Sequence, residues 1–122
     1  MPKKVYLIED NEKNMKLFIA ILKTMPDIEI FTEMEGDKGL DLIKSGDPDL
    51  IILDIQLPKI SGIEICKELR TIDKFKKTPI IAVTAFAMKG DKDRILVGGF
   101  NQYISKPIKV SEFREVINKV LS

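Results

Sequence analysis

Short apolar runs that end on a polar residue recur along this chain, each followed by residues at helical spacing, and that alternation limits the fold more than any other feature. Val5 to Ile8 runs into Glu9 and Asp10, and Leu50 to Leu53 runs into Asp54. Ile80 to Val83 ends at Thr84, while Tyr103 and Ile104 precede Ser105 and Lys106. Ile28, Ile30 and Phe31 suggest one more strand. Runs that are continuously apolar suit strands buried on both faces, which is the situation in a parallel sheet.

The intervening segments read as helices. From Glu12 onward, Met15, Phe18, Ile19 and Leu22 recur on one face until Pro26 stops the helix. Residues 36–44 carry Leu40, Leu42 and Ile43, and residues 63–69 and 91–97 predict two more helices, the second closed by Gly98 and Gly99. Ser111 is the expected cap of a last helix with Glu112 in its first turn and Phe113, Val116, Ile117, Val120 and Leu121 as its inner face. Five strands alternating with five helices predict an α/β fold. It would be a five-stranded parallel sheet with helices on both faces, because right-handed crossovers cover both sides once the winding reverses.

Length and charge narrow the functions open to such a fold. The 122 residues leave room for one domain, 1–122, with no linker at which to divide it. Lys plus Arg (20) nearly equals Asp plus Glu (19), so nucleic acid is not an expected partner. Cys66 is the only cysteine and histidine is absent, which excludes disulfide frameworks, zinc sites and Ser-His or Cys-His nucleophile pairs. Cys66 itself reads as a small apolar filler on a helix. The N-terminus MPKKVYLIED has no secretory pattern, and no apolar run nears the roughly 20 residues that span a bilayer, so a cytoplasmic protein without membrane contact is expected.

In doubly wound sheets, ligands bind outside the carboxyl ends of the strands. Glu9, Asp10, Asp54, Thr84 and Lys106 are the residues that this rule brings to one edge. Neighbouring strands lie about 4.8 Å apart, so acids ending the first and third strands can share one cation if those strands are adjacent. Without a cation, such close carboxylates would raise one another's pKa. Hard oxygen ligands with no His or Cys favour Mg2+ as the cofactor. A cation, an ammonium and a hydroxyl around one carboxylate suit phosphoryl transfer, with Asp54 as the nucleophile that becomes an aspartyl phosphate. Taken singly, each residue has a plainer reading: acids favour a helix start, threonine ends many strands, and lysine often lies at the surface. Their joint placement is what points to a site.

Four stretches together, LIEDN, DLIILDIQLPKISG, PIIAVTAFA and YISKP, make the chain similar to the receiver domains of two-component response regulators. It resembles most closely the stand-alone receivers, which carry no output domain. The resemblance spans the whole chain and implies a flavodoxin-like strand order of 2-1-3-4-5. It implies that Asp54 is the phosphorylation site, that Glu9, Asp10 and Asp54 hold the metal with the backbone carbonyl of Gln56, and that Lys106 pairs with the phosphoryl group. Thr84 would be the switch hydroxyl and Tyr103 the aromatic switch, and Lys106 to Pro107 looks like the family's cis peptide. The first acid is Glu9 where the family often has Asp. Phe86 would shield the acyl phosphate from water, and the stretch AFAMKGDKDR would reshape the surface.

The resemblance also implies partners: a histidine kinase or a histidine phosphotransfer protein as phosphodonor, docking beside the first helix, and a downstream protein target read by a monomer. The protein would then be a signalling switch and not an enzyme acting on a separate substrate. Two other readings start from the same residues. An aspartate-nucleophile phosphohydrolase would want a second acid two residues after Asp54, where Gln56 stands. A binding module of the same fold that works without phosphorylation would have no physical reason to keep such clustered charges.

Overall fold

The computed structural model describes residues 2–85 and 89–121, with backbone alone for 89–92. Phe86 and the neighbouring part of the AFAMKGDKDR stretch therefore lie outside the described residues. Ten elements alternate along the chain: β1 (Lys3–Ile8), α1 (Glu12–Lys23), β2 (Ile28–Glu33), α2 (Gly36–Lys44), β3 (Leu50–Asp54), α3 (Gly62–Arg70), β4 (Ile80–Thr84), α4 (Lys89–Val97), β5 (Gln102–Ser105) and α5 (Val110–Leu121). A short 3-10 turn, Asp73–Phe75, lies between α3 and β4.

All strand pairs are parallel, in the order β2-β1-β3-β4-β5, as the alternation and the resemblance predict. Successive side chains of a strand point to opposite faces, and here both faces are covered. Tyr6 and Ile8 of β1, Ile51 and Leu53 of β3, and Ile80 and Ala82 of β4 pack with Ile43, Ile65, Leu69 and Ile95 of α2, α3 and α4. The residues between them, Val5, Leu7, Leu50, Ile52, Ile81 and Val83, pack with Phe18, Leu22, Phe113 and Ile117 of α1 and α5. Every residue of β3 and β4 is buried, which is why those runs are apolar without interruption.

Local sequence sets where the helices begin. Asn11 caps α1 by accepting from the Asn14 amide at 3.0 Å, and Ser61 caps α3 by accepting from the Glu64 amide at 3.1 Å. Ser111 does not cap α5. That helix starts at Val110, and the Phe113 amide donates to the Lys109 carbonyl at 3.0 Å, so helical bonding begins before the serine and leaves it inside the first turn. Met15, Phe18 and Leu22 of α1 are buried, so they belong to the core and not to an exposed docking face. Among the described residues, no helix is long and apolar enough to cross a membrane.

Candidate functional site

The winding reverses between β1 and β3, and polar side chains from several strands meet at the carboxyl edge there. Ile8 pairs with Leu53, so Glu9 follows β1 beside Asp54, the last residue of β3. Thr84 ends β4 in register with Ser105 of β5, and its carbonyl accepts from the Lys106 amide at 2.8 Å. Glu9, Asp54 and Thr84 are the buried polar residues among those described. The Lys106–Pro107 peptide is cis.

Lys106 Nζ lies 3.0 Å from Asp54 Oδ2 and 3.2 Å from Glu9 Oε1. The other oxygen of each acid is held by the backbone: the Gln56 amide donates to Asp54 Oδ1 at 3.0 Å, and the Asn11 amide donates to Glu9 Oε2 at 3.1 Å. Asp10 is exposed, yet one oxygen each from Glu9, Asp10 and Asp54 fall within 4.8 Å of one another. Three acids therefore cluster, and two of them contact the Lys106 ammonium.

Their protonation follows from burial and from these contacts. Burial pushes the Glu9 carboxyl up to about 8, and the neighbouring Asp54 carboxylate adds to the rise, against the Asn11 amide and Lys106. Burial alone would also raise Asp54. Contact with a protonated Glu9, the Gln56 amide and Lys106 outweighs it and holds Asp54 below the usual carboxylate range. For Lys106, burial works downward but the two acids win and raise its pKa. Asp54 is thus an ionised carboxylate opposite a permanent cation.

Glu9 Oε1 is less completely satisfied than Oε2, which accepts from the Asn11 amide. It is buried, and although it lies near the lysine it has no hydrogen-bond partner among the described residues. A buried acceptor of this kind is costly unless something binds it. A hard divalent cation fits, since the donors are all oxygens and neither histidine nor cysteine is near. Gln56 is exposed, and its amide is committed to Asp54. Tyr103 is half-buried on β5 and packs against the core on the α2, α3 and α4 side.

Two supports of the site went unread in the sequence. The Asn11 amide serves Glu9 while its side chain caps α1. Gly62 opens α3 directly against the Asp54 main chain: a Cβ there would collide with the Asp54 carbonyl oxygen and sit 2.9 Å from Ile55 Cα. A glycine eight residues past an acid is visible in the sequence, but its contact is not.

Comparison with known proteins points to one family. The family model described as "Response regulator receiver domain" matches residues 5–118. The chain is 50% identical over 121 residues to the polar-differentiation response regulator DivK of Brucella anthropi, covering 99% of this chain and 98% of that protein. A receiver domain of a sensor histidine kinase from Pseudomonas aeruginosa, solved with a magnesium ion coordinated in its active-site cleft, superposes with a TM-score of 0.89 at 27% identity, covering 99% of this chain and 98% of that one. The chemotaxis response regulator CheY4 of Vibrio cholerae reaches a TM-score of 0.92 at 23% identity, covering 99% of this chain and 100% of its own, and so shares the fold. From the sheet order to the match over residues 5–118, the observations agree that this chain belongs to the receiver domain family of response regulators.

Proposed function

We propose that residues 1–122 form a phosphorylation switch in which Asp54 accepts a phosphoryl group from a histidine kinase or a histidine phosphotransfer protein. The observation that carries this reading is the contact of buried Asp54 with half-buried Lys106 at 3.0 Å, set beside Glu9 Oε1, which is buried without a hydrogen bond. An ionised carboxylate is the nucleophile that aspartyl phosphate formation needs. Its oxygen forms a bond to phosphorus as the bond from phosphorus to the donor's histidine nitrogen breaks, and the imidazole leaves with the electron pair. The Gln56 amide fixes one carboxylate oxygen, and Lys106 supplies positive charge beside the other, where charge develops on the transferring group.

Glu9, Asp10 and Asp54 would hold Mg2+, with the Gln56 carbonyl as a further ligand. When bound, the ion would offset negative charge on the phosphoryl oxygens. Phosphorylation adds about −1.5 to −2 charge at a buried edge. Thr84 and Tyr103 would respond to it and shift the balance between two arrangements of the surface made by α4, β5 and α5, which a downstream protein reads. The protein acts in this reading as a monomeric switch and not as an enzyme with a separate substrate.

Intact mass after incubation with acetyl phosphate tests the reading. A gain of one phosphoryl group that needs magnesium and is lost in Asp54→Asn is expected. No gain with acetyl phosphate or with any phosphohistidine donor would turn the assignment toward a phosphorylation-independent binding module.

A further inference from the structure

Far from the carboxyl edge, one side chain joins three segments of backbone. Arg70, the last residue of α3, donates from Nε and Nη2 to the Gly99 carbonyl at 3.0 and 2.8 Å. Its Nη1 donates to the carbonyls of Phe75 and Thr78 at 2.7 and 2.8 Å, with that of Lys76 at 3.3 Å. The remaining Nη2 donor goes to Asn101 Oδ1 at 2.8 Å. Every N–H of the guanidinium is engaged, and a guanidinium is the side chain whose planar fork can do this. A role limited to complementing the helix dipole of α3 would require none of these contacts.

Each acceptor sits where a structural element begins or ends. Gly99 closes α4 in a left-handed conformation, φ +105, with its amide donating to Leu96 and the Phe100 amide donating to Ile95. That is a Schellman closure, and the buried contact that accompanies it is supplied by Ile95 and Phe100. A Cβ at Gly99 would meet Arg70 Cγ at 2.9 Å, so glycine serves both the turn and the approach of the arginine. Asn101 accepts from the Ile80 amide at 2.8 Å and donates its own amide to the Ile80 carbonyl at 2.9 Å. This reciprocal pair opens the β4–β5 ladder whose far end holds Thr84 opposite Ser105, next to Lys106.

We propose that Arg70 is a positioning residue for the switch, pinning the C-terminal end of α4 and the start of the β4–β5 ladder as a fixed pivot. Movement set off at Asp54 then displaces α4 from its N-terminal end while residues 98–101 stay in place. The inference rests on the phosphorylation switch proposed above. Among the described side chains of α4, residues 93–97, Ile95 is buried and lies near the pinned end.

Amide hydrogen exchange on the whole protein, with and without magnesium and beryllium trifluoride as a phosphoryl mimic, tests the pivot. In the wild type the mimic should change exchange in residues 89–94 and leave 98–101 protected. In Arg70→Lys, which keeps the charge but not the fork, residues 80 and 98–101 should exchange roughly tenfold faster without the mimic while β1 and β3 hold, because several charge-assisted bonds are lost locally. With the mimic, the change should spread into 98–101. A wild-type response within 98–101, unchanged exchange in Arg70→Lys, or faster exchange throughout the sheet would each overturn the pivot, the last because it marks plain destabilisation. Should Arg70→Lys fail to fold, Asn101→Ala replaces it: faster exchange at Ile80 with Gly99 still protected is expected, and a uniform rise would overturn the idea. A wild type that neither gains mass at Asp54 nor responds to the mimic would instead sink the switch reading, and the mimic-free comparison would still decide whether Arg70 pins this end.

Discussion

Glu9 follows β1 with Oε2 capped by the Asn11 amide and Oε1 buried without a hydrogen bond. Its pKa in the folded chain, about 8 against an ordinary 4.5, fixes the sign of a pH effect. A carboxyl raised by folding favours the folded state fully below its ordinary value, and that contribution is lost as pH climbs to the folded value. Asp54 is held low and works the other way, losing its contribution only in acid. Without divalent cations, the melting temperature should therefore fall between pH about 4.5 and about 8, and magnesium should raise it more at the upper end than at the lower. Glu9→Gln should flatten that decline; melting curves with the same slope for both proteins would refute the assignment. The residues at the strand ends were legible because an apolar run followed by an acid fixes where the acid emerges. The Asn11 and Gln56 amides were not, because every residue except proline carries that donor.

At the level of elements, α3 begins under Asp54. Ser61 caps it, and its first residue, Gly62, donates to the Ile55 carbonyl at 3.0 Å while leaving no room for a side chain. Gly62→Ala should cost about 1–3 kcal/mol by forcing the main chain at Asp54 to shift. Urea unfolding would measure the cost, and phosphorylation by acetyl phosphate should slow in the same variant; wild-type values for both would show that the loop gives way freely. The strands could be read as short apolar runs, and α1 and α5 from helical spacing, while α4 was marked mainly by the glycines that close it. The 3-10 turn at Asp73–Phe75 could not be read, because three residues show no period. Arg70 escaped for another reason: a cation in the last turn of a helix has an ordinary dipole explanation, and its partners are carbonyls.

For the whole molecule, the two faces of the sheet are separate bodies of packing joined through β1, β3 and β4. Phe18 of α1 and Phe113 of α5 meet on one face with ring centroids 5.0 Å apart and planes tilted by 40°. Phe18→Ala should cost about 3–5 kcal/mol, a large part of the roughly 5–15 kcal/mol that holds a domain together. Chemical denaturation would show it as a lower midpoint, and a loss under about 1 kcal/mol would mean that this face repacks easily. The clamp at Arg70 bears on how this fold tolerates change. Its acceptors near β4 are carbonyls, which any residue supplies, so between Thr78 and the buried Phe75 the loop is constrained in length and not in identity. Random replacement of Lys76 and Lys77 should leave melting nearly untouched, while one residue inserted between them would carry Phe75 and Thr78 out of reach of the same guanidinium. Over evolutionary time positions 76 and 77 are free to drift in their letters but held to a fixed count.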